Sequence, residues 1–113
     1  MSELSNISCI PCRTGTLPAS AAEIAEWLPH LPDWQIISTD NVRRLTRSYR
    51  YRTFQRALGF TNRIDEIAEA EQHQLAILIE WGQVTVNWLT HKISGLRRND
   101  FIMAAKTDHL YAG

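Results

Sequence analysis

The chain has 113 residues, a length that suits one compact domain and is too short for two ordinary ones. Twelve Lys and Arg balance twelve Asp and Glu, and a net charge of zero argues against a general polyanion binder. The longest apolar run, residues 75–79, is far shorter than the roughly 20 residues of a membrane span. With no signal or transit pattern at the start, we expect a cytoplasmic protein that does not enter membranes.

Residues 1–19 are predicted to form a flexible leader, and residues 20–113 the folded domain. The leader holds the only C-x-x-C pair, Cys9 and Cys12. One such pair supplies half the ligands of a structural zinc site, and Pro11 inside it does not suit a redox helix. We expect an inert or weakly ordered segment, with metal or redox use as the alternative.

The domain is predicted to start with a short helix and a hairpin. Ser20-Ala-Ala-Glu23 has the pattern of a capping box, which begins a helix through Trp27 or Leu28. Residues 34–37 and 42–52 read as two strands joined by a turn at 39–41. Leu45, Tyr49 and Tyr51 fall on one face of the second strand.

A long helix is predicted from Thr53 to about Gln72. Its apolar stripe comprises Phe54, Ala57, Leu58, Thr61, Ile64 and Ala68, with Phe60 and Ile67 beside it. Residues 77–79 and 84–91 then read as a second hairpin around a bend at Trp81-Gly82. Gly95 breaks the chain, and Asn99 or a neighbour caps a last helix that has one apolar side.

The predicted order of elements is α-β-β-α-β-β-α. Connections of hairpin length call for antiparallel pairing, and the helices must cover one face of the sheet. We therefore predict the α+β class, with a single four-stranded antiparallel sheet and three helices packed on one face.

Two histidines are candidates for chemistry. His73 falls where the long helix ends and His91 where the last strand ends, and side chains at such termini can converge on one cleft. Imidazoles give and take protons near neutral pH. The alternatives are that each histidine caps a helix or rests on the sheet edge, or that both bind a metal with Glu69 or Asp100 as third ligand.

A set of spaced motifs resembles the pterin-4a-carbinolamine dehydratase family. Its pattern is a Glu, His-His-Pro after three residues, an aromatic, Thr-His, Gly-Leu and Asp, and this chain matches it without a gap from Glu69 to Asp100. The matching positions are Glu69, His73, Trp81, Thr90-His91, Gly95-Leu96 and Asp100. Leu31-Pro32-Asp33-Trp34 and residues 45–63 also resemble the family, so the likeness covers about residues 20–108. The bacterial form that accompanies phenylalanine hydroxylase is the most similar, including its cysteine pair.

The resemblance implies an enzyme that dehydrates 4a-hydroxytetrahydropterin to quinonoid dihydropterin, recycling the cofactor of aromatic amino acid hydroxylases. It implies no metal and no organic cofactor. His73 and His91 match the acid–base histidines, and Glu69 and Asp100 match the acidic catalytic positions. Gln74, Trp34, Trp81 and Thr90 match positions that we expect to bind substrate. The family also implies a homotetramer, or else a dimer formed by sheet extension, and the strand 84–91 suits such pairing if it lies at an edge.

One departure from the family pattern stands next to His73. Gln74 and Leu75 replace the second His and the Pro of His-His-Pro. Gln forms hydrogen bonds but transfers no proton at neutral pH. We expect an active enzyme, with weaker substrate binding if the second His mainly holds substrate and with slower turnover if that His shares the proton transfer. The alternative is a protein-binding, dimerisation or assembly factor on the same fold.

A nucleic-acid interaction is a further alternative. Seven arginines between residues 43 and 63 occur without an acidic residue. No stacking motif or recognition helix accompanies them, and arginines on an exposed strand account for the pattern, so we expect no nucleic-acid partner.

Overall fold

The computed structural model describes residues 19–73, 75–90 and 96–112. They form three α-helices, a 3-10 turn and four strands, and the predicted α+β class is confirmed. In chain order these are α1 (Ala21–Trp27), the 3-10 turn Leu28–His30, β1 (Gln35–Thr39), β2 (Val42–Arg50), α2 (Phe54–Glu71), β3 (Leu75–Glu80), β4 (Gln83–Trp88) and α3 (Arg98–Ala112). Cys9 and Cys12, and all of the predicted leader except Ala19, fall outside the described residues.

Local chemistry sets the ends of several elements. Ser20 and Glu23 form the predicted capping box, in which each side chain accepts a hydrogen bond from the other residue's backbone N–H. Asp40 and Asn41 join β1 to β2 with φ values of 52° and 65°. Two left-handed residues make the kind of turn whose twist matches a two-stranded ribbon. The first hairpin therefore follows from its turn residues.

The sheet is antiparallel throughout, with the strand order β1-β2-β4-β3. β2 and β4 lie in the centre, while β1 and β3 form the edges. β4 ends at Trp88, and Thr90 forms only an isolated bridge. The predicted strand 84–91, which would pair with a second copy only at an edge, is therefore central. The edge strand in this half of the sheet is β3.

The core lies between one face of the sheet and the helices, and α2 contributes Ala57, Phe60, Ile64 and Ala68 to it. The predicted stripe was wrong at Phe54 and Leu58, whose side chains are 40% and 41% exposed. The helix is rotated because Phe60 packs among three tyrosine rings, at centroid distances of 4.8–5.8 Å. Those rings belong to Tyr49, Tyr51 and Tyr111.

The last helix is covered on more sides than its sequence indicated. We expected one apolar side, yet every residue from Asn99 to Ala105 is buried. α3 packs against α2, β2 and β4, and Trp27 of α1 contacts Phe101. The first half of α3 is therefore buried around its circumference. None of the helices in the described part of the chain has the length and apolar character needed to cross a bilayer.

A carboxylate near the end of α3 ties that helix to the sheet. Asp108 Oδ1 accepts hydrogen bonds from Trp34 Nε1 at 2.9 Å, from Arg47 at 2.7 Å and from the Tyr49 hydroxyl. The Arg47 guanidinium lies 4.3 Å from the centre of the Tyr49 ring. Burial, followed by the bond to Asp108, raises the pKa of Tyr49 far above its ordinary value. Burial also raises the pKa of Tyr51 to about 12.

Tyr49→Phe is expected to make the free energy of unfolding less sensitive to alkaline pH. The folded chain keeps the Tyr49 proton above the ordinary pKa of about 10, where the unfolded chain loses it. The stability that this group contributes is therefore complete below that pH and falls above it, by about 1.4 kcal/mol per pH unit. Urea unfolding on both sides of this pH measures the slope.

Trp34→Phe is the matched control for Tyr49→Phe. It removes another donor to Asp108 but no titrating group, so it should lower stability by a similar amount at each pH. Equal alkaline slopes for wild type and Tyr49→Phe would contradict the prediction.

Candidate active site

His73 is held by the way in which α2 ends. Gln72 adopts a left-handed conformation with φ of 50°, which turns the chain out of the helix. The backbone N–H of His73 donates to the carbonyl of Ala68 at 3.0 Å, and that of Gln72 donates to the carbonyl of Glu69 at 3.2 Å. This is the hydrogen-bonding pattern of a Schellman end. The backbone of His73 is therefore fixed just before β3 begins at Leu75.

Asp100 is the third residue of α3, and its carboxylate caps that helix. Oδ2 accepts a hydrogen bond from the backbone N–H of Arg97 at 2.9 Å and another from Thr90 Oγ1 at 2.9 Å. The start of a helix favours an anion, because its free N–H groups carry partial positive charge. Asp100 has no exposed surface, so these donors replace the water that a carboxylate otherwise needs.

The two side chains meet in a short hydrogen bond. His73 Nε2 lies 2.7 Å from Asp100 Oδ1, and the side chains are 6% and 0% exposed. An ionised carboxylate only accepts hydrogen bonds, so Nε2 carries the hydrogen in this pair. In a neutral imidazole the other nitrogen is then the free acceptor. Nδ1 of His73 has no hydrogen-bond partner among the described residues, so it is the atom of this ring that can take up or release a proton there.

Trp88 covers one face of the imidazole. The rings are 5.9 Å apart between centroids and inclined by 27°, and Trp88 itself is fully buried. Its Nε1 donates to Thr107 Oγ1 at 3.0 Å. Sequence reasoning did not include Trp88 among the site residues. The sequence did contain an indication of its position. Trp88 precedes Thr90 by two residues, and alternation along a strand places two such residues on the same face.

Three of the predicted site residues are brought together: His73, Thr90 and Asp100. Glu69 is exposed on the last turn of α2, and within the described residues its carboxylate has no hydrogen bond to His73. His91 and Gln74 lie outside the residues that the structure describes.

The two predicted tryptophans do not join this group. Trp34 is buried against Asp108, about two helical turns along α3 from Asp100. Trp81 is 77% exposed in the turn after β3, whereas His73 precedes that strand. Six strand residues span roughly 20 Å, so Trp81 is remote from the imidazole.

The arginine-rich segment does not form one basic surface. Strand alternation places Arg43 and Arg47 on the helix side of β2, and Arg44 and Arg50 on the open side. Arg47 is bound to Asp108 and lies 3.6 Å from Asp33. The other arginines of the segment follow β2 or lie on α2: Arg52, Arg56 and Arg63.

No cluster of three or more potential metal ligands occurs among residues 19–73, 75–90 and 96–112. Asp100 already accepts bonds at both carboxylate oxygens, from His73 at one and from Thr90 and Arg97 at the other. The chemistry that this group offers is proton transfer at an oriented imidazole.

Asp100→Asn is expected to destabilise the fold by an amount on the order of 3 kcal/mol. In wild type, three donors bind the two carboxylate oxygens of Asp100. The amide of Asn has one acceptor oxygen, and its NH₂ group would face a donor instead of accepting from it. Urea unfolding compares this variant with Asp65→Asn, which changes an exposed carboxylate on α2 and should lie within about 0.5 kcal/mol of wild type. Equal stability of the two variants would show that the buried network contributes nothing.

The chain is similar to known proteins along most of its length. The sequence matches the family model described as pterin 4 alpha carbinolamine dehydratase over residues 17–110. It is 56% identical over 110 residues to a protein of Syntrophotalea carbinolica provisionally named pterin-4-alpha-carbinolamine dehydratase, covering 97% of this chain and 98% of that one. A protein of the same provisional name from Chlorobium limicola is 46% identical over 113 residues, covering 100% of each chain.

A solved structure gives the same picture. The crystal structure of a transcriptional coactivator/pterin dehydratase from Brucella melitensis superposes with a TM-score of 0.74 at 28% identity, covering 83% of this chain and 98% of that one. The family model spans most of the chain, and the relatives align along almost its whole length. The chain belongs to the pterin-4a-carbinolamine dehydratase family.

Proposed function

We propose that the protein dehydrates a 4a-hydroxytetrahydropterin to quinonoid dihydropterin, with His73 transferring a proton. The observation that supports this mechanism is the 2.7 Å bond between His73 Nε2 and Asp100. Family membership supports the class of substrate. The reaction would recycle the pterin cofactor of an aromatic amino acid hydroxylase in the cytoplasm.

The reaction requires one proton to be delivered and one to be removed. A proton reaches the 4a-hydroxyl group, the carbon–oxygen bond breaks and water leaves. The neighbouring ring nitrogen loses its proton as the new double bond forms, so the pterin gives up one molecule of water. We assign one of these transfers to His73 Nδ1 and the other to His91. Asp100 acts as a positioning residue, since it holds Nε2–H of His73 and does not touch the pterin.

Because Gln74 and Leu75 replace the second His and the Pro of His-His-Pro, we expect activity to differ from that of family members with the full motif. Leu75 is the first residue of β3 and the register partner of Trp88. Gln74 would hydrogen-bond the pterin without exchanging protons with it. Thr90 contributes indirectly through Asp100, while Trp34 and Trp81 are remote from His73 and are poor candidates to bind a pterin at this imidazole.

His73→Ala is expected to lower the dehydration rate on the order of a hundredfold, the size of a lost acid or base. A hydroxylase-coupled assay that follows clearance of the carbinolamine measures it, with Asp65→Asn as the unaffected control. His91→Ala should also slow the reaction, and Gln74→His should accelerate it. Wild-type protein that clears the carbinolamine no faster than buffer would contradict the proposed activity.

A protein-binding role is the second candidate, and an exposed apolar edge favours it. The side chains of Leu78 and Trp81, on and just after β3, are 58% and 77% exposed. The Brucella melitensis protein is described as both a coactivator and a dehydratase. Titration with a pterin analogue separates the two roles through tryptophan fluorescence, because Trp88 lies against His73. Saturable quenching that is lost in His91→Ala supports the enzyme, whereas no response supports the binding role.

We also propose a homotetramer, with a dimer as the smaller alternative. β3 has an unpaired edge within the described sheet, and a strand edge of this kind pairs readily with a copy of itself. The outer surface of α2 carries Arg56 in its first turn and Arg63 near its middle, followed by Asp65, Glu66 and Glu69 in its second half. Two such helices packed antiparallel place opposite charges together.

The assembly should weaken as salt rises, because exposed charges are screened. Sedimentation velocity at micromolar protein, in low and high salt, measures the species present. A monomer under all these conditions would contradict both assemblies.

A further inference from the structure

Trp88 occupies a position with little freedom. It lies at the end of the central strand β4, paired with Leu45 of β2 on one side and with Leu75 of β3 on the other. The side chain is fully buried. Its indole N–H donates to Thr107 Oγ1 at 3.0 Å, and that hydroxyl donates to the Met103 carbonyl of α3 at 2.7 Å. The sheet and α3 therefore both fix the position of the indole.

The hydrogen bond to Asp100 alone does not define the direction of the His73 ring. The ring is attached at Cβ and hydrogen-bonded at Nε2, so it can still tilt about the line between these two atoms. The indole face, at 5.9 Å between centroids and 27° between planes, restricts this rotation. An aromatic face also attracts a cation, so the contact persists when the imidazole is protonated.

We propose that Trp88 and Thr107 are positioning residues that aim Nδ1 of His73 at the reacting pterin. This inference rests on the proposed acid–base role of His73. Thr107 holds the indole, the indole covers the imidazole face, and Asp100 holds the opposite nitrogen. A core tryptophan needs a partner for its N–H in any case. If Trp88 only filled space in the core, its near-parallel contact with His73 would have no explanation.

The test compares Thr107→Val with Thr107→Ser and Thr61→Val. Thr107→Val removes the acceptor of the indole N–H and keeps the side-chain volume, and Thr107→Ser keeps the hydroxyl. Thr61 also donates its hydroxyl to the carbonyl four residues earlier, at 2.9 Å, but on α2 and with no contact to Trp88. Thr61→Val therefore controls for loss of a helical threonine bond. Trp88→Phe, which keeps an aromatic face without the N–H, is the second test variant.

We expect Thr107→Val and Trp88→Phe to lower kcat on the order of tenfold at nearly unchanged KM, because a misdirected group slows the chemical step. Thr107→Ser should recover most of kcat, and Thr61→Val should match wild type. Proton NMR supplies a readout that does not depend on activity. The exchange-protected Nε2–H signal of His73 should weaken in Thr107→Val and return in Thr107→Ser.

Folded Thr107→Val protein with wild-type kcat and an unchanged Nε2–H signal would overturn the inference. Inactive wild-type protein would instead remove the proposed function. In that case the NMR signals of the wild type and the four variants still decide whether Thr107 and Trp88 orient the His73 ring.

Discussion

The buried carboxylate of Asp100 is the constraint on which the arrangement of the site depends. It accepts hydrogen bonds from the His73 imidazole, the Thr90 hydroxyl and the Arg97 backbone N–H. His73 follows α2, Thr90 follows β4, and Arg97 precedes α3. One side chain therefore connects three segments of the chain. Because burying an unpaired carboxylate is costly, the segments must meet in this way for α3 to pack. The position of the imidazole Nε2 therefore follows from satisfying the carboxylate at the start of the helix.

A second carboxylate on α3, that of Asp108, also accepts several hydrogen bonds from other segments, but none of these comes from a histidine. Asp108 accepts three bonds at one oxygen, from Trp34, Arg47 and Tyr49, and joins the helix to β2 and to the chain before β1. Its partners are a cation, a phenol whose pKa is raised, and an indole. Among these the described geometry offers no free imidazole, so this cluster is structural. Asp100 differs because one of its donors is a histidine whose second nitrogen is left for chemistry.

Much of this architecture could be predicted from the sequence. The capping box at Ser20, the Asp40-Asn41 turn and the change of period after Thr53 are local signals, and they placed the elements to within a few residues. The spacing of motifs from Glu69 to Asp100 also indicated the family. The exposure of Phe54 and Leu58 could not be predicted, since it depends on how Phe60 fits among three tyrosines.

The remaining differences also have tertiary causes. Strand alternation puts Trp88 on the same face as Val84 and Val86. Its contact with His73 depends in addition on how α2 ends against β3. Trp34 matched a family position, yet its partner is an aspartate 74 residues later, a pairing that no local pattern reveals. The burial of α3 on more than one side likewise reflects its position between α2 and the sheet.

The most direct test of this account is the tautomer of His73 in the wild-type protein. Nitrogen-15 NMR of the labelled imidazole, at a pH where the ring is neutral, shows which nitrogen carries the hydrogen. The account predicts a protonated Nε2, donating to Asp100, and an unprotonated Nδ1. A protonated Nδ1, or rapid exchange between the two forms, would contradict the claim that Asp100 orients this histidine for proton transfer.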